Sequence, residues 1–257
     1  MRKTVLALLL AASGVSAHAA LNTGDIAFTS FNADEDGLSF VAFTSIAANT
    51  KIFFTDNSWN GSAIGSGGGF TAGESYNQWI SGTSSIAAGT VIRFSSYDTA
   101  ALMSASVGTL SRVSVSGNSN WGISATADTI YAYTGNSANA PSTFLSAITN
   151  GTFAANGPLG NTGLSTGVNA ITLPASSDFY QYGGARAGAQ NLADYKALVA
   201  NVANWTGHDG GGNPDFSGTA PNITAFTVTA VPEPNNYAML LAGLGLIGFI
   251  ARRRNVS

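Results

Sequence analysis

Apolar residues recur along this chain in short bursts, separated by Gly, Asn, Asp and Ser. The clearest bursts cover positions 25–31, 38–44, 51–55, 91–95, 129–133, 170–173, 179–182 and 223–229. They are rich in Phe, Ile, Val and Thr and bounded by turn formers, so each predicts a β-strand. In Ser39-Phe40-Val41-Ala42-Phe43 apolar residues fall on both faces, which predicts a central strand covered on both sides. Many short strands with turns between them predict a mainly β fold, an antiparallel β-sandwich. Helical periodicity is strong only at 192–202. There Leu192, Tyr195, Val199 and Val202 share one face, and Asn191 is placed to cap the start. Positions 143–149 predict a second short helix.

One stretch is echoed. Ser45-Ile46-Ala47-Ala48-Asn49-Thr50-Lys51-Ile52 returns as Ser85-Ile86-Ala87-Ala88-Gly89-Thr90-Val91-Ile92. No third copy follows, so a stacked repeat array is not expected. The echo predicts two similar entries from turn into strand, with Asn49 or Gly89 in the left-handed position and the next Thr opening the strand.

The two ends depart from the pattern of the middle. Arg2 and Lys3 precede an apolar run from Val5 to Ala12, and small residues close on Ala17-His18-Ala19. A charged start, an apolar run and an A-x-A site predict a signal peptide over 1–19, followed by a body over 21–230. At the other end, Tyr237 to Ala251 carry no charge. A helix of that length covers ~22 Å, short of the ~30 Å hydrocarbon core. Its flanks nonetheless predict a single transmembrane helix over 237–251. Pro232 and Pro234 stop any helix upstream, and Arg252, Arg253 and Arg254 follow directly. Arginines stay on the cytoplasmic side, so the body is expected outside and the C-terminus inside.

Val231-Pro232-Glu233-Pro234, the apolar segment and the Arg cluster together resemble the PEP-CTERM sorting signal of Gram-negative bacteria, here over 231–257. The same segment is sometimes labelled an ice-binding-protein C-terminal domain. The resemblance implies that Pro232-Glu233-Pro234 is recognised by a membrane transpeptidase, exosortase, which handles surface and matrix proteins in bacteria that make exopolysaccharide. It speaks to sorting and not to the body. A second resemblance covers positions 24–61, GDIAFTSFNADEDGLSFVAFTSIAANTKIFFTDNSWNG. This stretch looks like the opening of secreted bacterial domains related to the lamin-tail immunoglobulin-like sandwich: a G-D strand, an Asx-rich turn, a second strand and a third ending in T-D-N-x-W. It implies a surface or interaction module and brings no catalytic residues.

Composition narrows the chemistry. The chain has no cysteine, which removes disulfides, thiol nucleophiles and thiolate metal sites. Between the terminal signals stand five basic residues, Lys51, Arg93, Arg112, Arg186 and Lys196, against twelve acidic ones. No basic cluster exists, which argues against nucleic acid. His208 is the one imidazole outside the expected leader, set in a Gly-rich stretch that reads as a surface loop, and no G-x-S-x-G elbow accompanies it. Gly65-Ser66-Gly67-Gly68-Gly69 lacks the Lys-Ser/Thr of a phosphate loop. No cofactor is expected, and calcium is the one ion the acidic loops could take. Asp34 and Asp36 flank a tight turn, and Asp209 and Asp215 mark a second Gly-rich loop. Trp59, Trp79, Trp121 and Trp205 could stack on sugar rings. Trp59 and Trp79, which flank the Gly-rich stretch, are the candidates for exposure.

These features predict a non-enzymatic surface or matrix protein, with exosortase, exopolysaccharide or envelope components as partners. A secreted glycan hydrolase is the alternative from another class, and a calcium-stiffened adhesin is a third.

Overall fold

The computed structural model describes residues 20–174, 177–208 and 220–229, with the single position 244. The expected leader 1–19, the loop acids Asp209 and Asp215, and the tail features Val231 to Pro234, 237–251 and Arg252 to Arg254 lie outside the described residues, apart from Leu244. Among the described residues no helix is long and apolar enough to cross a membrane.

The apolar bursts become strands, and polar runs between them supply more. In chain order these are β1 (Ile26–Asn32), β2 (Gly37–Ala42), β3 (Lys51–Thr55), β4 (Tyr76–Ile80), β5 (Val91–Ser95), β6 (Ser104–Ala105) and β7 (Thr109–Arg112). Then follow β8 (Thr129–Ser137), β9 (Ala140–Thr149), β10 (Ala170–Thr172), β11 (Phe179–Tyr182) and β12 (Trp205–His208). Two helices interrupt them, α1 (Phe153–Asn156) and α2 (Asp194–Ala200). One sheet has the order β12-β11-β1-β2-β5-β6, and the other β10-β9-β8-β3-β4-β7. The second is mixed, because β10 runs parallel to β9 while its other pairs are antiparallel. Strand β2 sits inside the first sheet with every residue buried, as its two-sided apolar pattern predicts.

The sheets face each other across an aromatic core. Phe40 meets Phe54 at 5.6 Å and Phe94 at 5.6 Å, while Phe54 meets Phe94 edge-on at 5.1 Å. Ile52, Ile92, Ile130 and Leu145 fill the space around them. A second core lies on the outer face of the β10–β7 sheet, where Phe53, Tyr131, Tyr133 and Phe144 pack beneath Trp59, Phe153 and Leu164. Long loops therefore form a third layer, which accounts for a body larger than a minimal sandwich.

Three local expectations change. Positions 143–149 belong to β9, not to a helix. Phe144 and Leu145, then Ala147 and Ile148, enter the two cores in turn, and that spacing mimics a helical stripe. Positions 223–229 form no named strand; they run along the body and make one isolated bridge, Val228 to Ala189. The helix expected over 192–202 is shorter, Asp194–Ala200, followed by a 3-10 turn at Val202–Asn204. The N-cap of α2 is Ala193, with no side-chain cap, rather than Asn191; Asn191 lies in the turn before it, where its Oδ1 accepts from the Asp194 amide and Asp194 Oδ2 accepts from the Asn191 amide, each at 3.2 Å.

The echoed stretches meet in space. Ile46 and Ile86 exchange backbone hydrogen bonds of 2.8 and 2.9 Å. Asn49 has φ +57° and Gly89 φ +90°, so both occupy the left-handed position. They differ in what covers them. A Cβ on Gly89 would lie 2.1 Å from the Phe226 carbonyl oxygen, so only glycine admits the chain that passes over it.

Candidate functional site

The Thr55-Asp56-Asn57-Ser58-Trp59 corner at the end of β3 is tied from all sides. Thr55 Oγ1 donates to the Ser75 carbonyl at 2.5 Å. Asn57 Nδ2 donates to the Glu74 carbonyl at 3.0 Å, and Asn57 Oδ1 accepts from the Glu74 amide at 3.1 Å. Asp56 Oδ1 accepts from the Ser75 amide at 3.0 Å. The side chains of Thr55, Asp56 and Asn57 thus continue the link to the chain before β4 where the ladder of β3 ends.

Strand alternation turns Asp56 inward. Ile52 and Phe54 face the inter-sheet core, so Asp56 continues that face. Asn77 stands opposite Phe54 and shares a face with Trp79, and Asp128 precedes Ile130 and Ala132 by even steps. Tyr97, just beyond β5 in the other sheet, is fully buried beside them. Burial, with the charges of Asp128 and Glu74 added, lifts the Asp56 carboxyl to about 8. Burial lifts Asp128 to about 6 against the hydrogen bonds from the Ser124 and Thr129 amides, and Glu74 and Asp36 push the same way. Asp36 also reaches about 6, again through burial. Asn77 is fully buried, and neither its Nδ2 nor its Oδ1 makes a hydrogen bond. It approaches Tyr97 Oη, which makes none of good geometry either. An unmet buried polar group costs about 1–3 kcal/mol, so a polar pair buried this deeply stands out in the core.

The sequence-derived candidates fare unevenly. Trp59 and Trp79, expected to be exposed, are 1 % and 0 % exposed. Trp59 lies edge-on between Phe70 and Phe144 at 5.3 and 5.0 Å, and its Nε1 donates to the Gly160 carbonyl at 3.0 Å. The Gly-rich stretch is the cover over it: a Cβ on Gly68 would lie 2.7 Å from the indole. Trp79 packs edge-on against Phe40 at 5.5 Å and donates to the Val107 carbonyl at 2.7 Å. Neither ring can take a sugar. Within the acidic turn, Glu35 points inward to Arg93 and accepts from Asn32 Nδ2 at 3.0 Å, while Asp36 Oδ1 accepts from the Ile123 amide. The Asp34 amide donates to Asn32 Oδ1 at 3.1 Å. Among the described residues no three acidic or imidazole side chains converge as a metal site. His208 closes β12 rather than sitting in a free loop; its ring stacks on Phe179 at 5.0 Å and Nε2 lies 3.1 Å from Gln181 Nε2.

Asp56, Asn77, Tyr97 and Asp128 carried no local signal. They come from separate strands and loops, and only the sandwich brings them together.

The last described segment is fastened to the body. Phe226 stacks with Tyr182 at 5.7 Å, meets Tyr195 edge-on at 5.2 Å, and lies 4.9 Å from the Arg186 guanidinium. Its amide donates to the Gly89 carbonyl at 2.8 Å, and the Thr229 amide to the Ala189 carbonyl at 2.8 Å. Directly after it, residues 230–254 match the PEP-CTERM protein-sorting motif. That motif implies export through an exosortase-type sorting route to the cell envelope or surface. No curated protein and no solved structure matches the chain.

Proposed function

We propose that this chain is an exported surface or matrix protein whose sandwich is non-catalytic and serves a structural or adhesive role beside exopolysaccharide or the envelope. In this reading 1–19 is a removed leader, 21–230 the ectodomain and 231–257 the sorting signal. The helix 237–251 holds an inner-membrane intermediate with Arg252 to Arg254 in the cytoplasm, and an exosortase-type enzyme acts at Pro232-Glu233-Pro234. The immunoglobulin-like, lamin-tail-like character of the body belongs to the same proposal.

The observation that carries it is where the fold fastens its end. Thr229 is hydrogen-bonded to the body, and Pro232 follows three positions later. Three residues reach at most about 10 Å. A cut at the tripeptide therefore leaves Phe226 and the contacts of its ring on the released side.

Replacing Pro232 and Pro234 by Ala in the native host tests the reading. The doubly substituted chain should accumulate at full length in membranes and vanish from the surface and matrix fractions. Unchanged delivery would contradict it.

A further inference from the structure

Among the described residues, the carboxylates gathered at the acidic end of the sandwich, Asp56, Glu74 and Asp128, enter no salt bridge. Asp56 is 5 % exposed, and it feels the charges of Asp128 and Glu74. The nearby arginines are engaged elsewhere: Arg93 pairs with Glu35, and Arg112 Nη2 donates to the Asp98 carbonyl. Beside the carboxylates stand two polar side chains with 0 % exposure and unmet polar atoms, Asn77 and Tyr97. Buried polar atoms are almost always partnered, so a cluster of unmet ones next to unbalanced carboxylates marks the place of a ligand.

We infer that this end binds a divalent cation, Ca²⁺ by its ligand chemistry, held by Asp56 and Asp128 with the Asn77 amide oxygen beside them. Two carboxylates neutralise the ion's charge. All the donors are oxygens, which suit a hard cation and not zinc or copper. Calcium also tolerates irregular geometry and completes its shell with water and main-chain carbonyls, whereas magnesium demands a near-ideal octahedron. With Asn77 Oδ1 turned to the ion, its Nδ2 is free to donate to Tyr97 Oη, and all three unmet atoms gain partners. Half-buried Glu74, which accepts from Asn120 Nδ2 at 2.5 Å, stands at the rim and offers a path inward. Asp36 stands beside the site with its Oδ1 held by the Ile123 amide and is not one of the proposed ligands, and the inference does not depend on the sorting reading.

The test is thermal melting of the full chain in detergent, in chelator and then with CaCl₂ at about a hundredfold over its Kd. A site of this kind raises Tm by about 5–10 °C. Asp56→Asn, Asp128→Asn and Asn77→Leu should each remove most of the rise, while Asp34→Asn, which lies outside the acidic end, should keep it. Terbium excited through the aromatic side chains gives a second readout, and Tyr97→Phe should dim it severalfold. If Asp56→Asn does not fold, Asn77→Leu and Tyr97→Phe carry the decision. A wild-type Tm unmoved by calcium overturns the inference. So does a rise that survives in the foldable site variants, which would put the ion elsewhere.

Discussion

At the scale of single residues, the most consequential feature is a carboxyl group buried among others of its own charge. Asp56 and Asp128 are lifted to about 8 and about 6 from the usual 3.8, chiefly by burial. A carboxyl whose folded value is raised holds its proton more tightly in the folded state. Its contribution to stability is therefore full below about pH 4 and is lost as pH climbs through the folded values. Asp36, Glu74 and the phenol of Tyr97 face the same group, and among the described residues no basic side chain adds a compensating charge. In chelator, melts across pH 5 to 9 should show Tm falling as pH rises, and Asp56→Asn should flatten the upper half of that fall. A Tm that rises over this range would contradict the burial argument. Glycines give a second prediction. Gly68→Ala drives a methyl into Trp59 and the Ala63 carbonyl, which should cost about 1–3 kcal/mol, read by denaturant unfolding. Sequence reading set Trp59 beside this Gly-rich stretch and inferred exposure. Gly68 is there for the opposite reason, since only a residue without Cβ can lie flat on the ring.

Among elements, legibility followed how local the deciding contacts are. Strand β2 was readable because two-sided burial demands consecutive apolar residues, and Phe40-Val41-Ala42 supplies them. Strand β9 was misread because residues buried on both faces also fit a helical stripe. What decides it is pairing with β8 and with β10, and neither partner is encoded within 143–149. Strand β4 was missed because Asn77 and Gln78 interrupt its apolar pattern, and Asn77 belongs to the acidic end, not to the packing core. The acidic end itself was invisible. Asp36, Asp56, Glu74 and Asp128 sit far apart in sequence, and the Asx-rich turn drew attention to Asp34 and Asp36 alone. The echoed turns yield a paired prediction. Gly89→Ala sets a Cβ against the Phe226 carbonyl at φ +90° and should loosen the 220–229 segment. Asn49→Ala, at φ +57° with no chain above it, should cost only about 1–2 kcal/mol. Hydrogen exchange at the Phe226 and Thr229 amides distinguishes the two: it should quicken in the first variant and stay unchanged in the second.

For the whole molecule, the claim is that a folded body is joined closely to a sorting tail. Phe226 is the latch. It is 3 % exposed and buries its ring among Phe43, Tyr182 and Tyr195. Phe226→Ala should cost about 3–5 kcal/mol and free the chain that leads to the sorting motif. Limited proteolysis should then cut near 220–229 in the variant and spare the wild type. Whether the tail is removed is read from the intact mass of the native protein recovered from membrane and extracellular fractions. Processing at both terminal signals should give an extracellular species that begins near residue 20 and ends near Pro232 to Pro234. A protein ending at Ser257 and found only in membranes would contradict it, and would make the tail a permanent anchor.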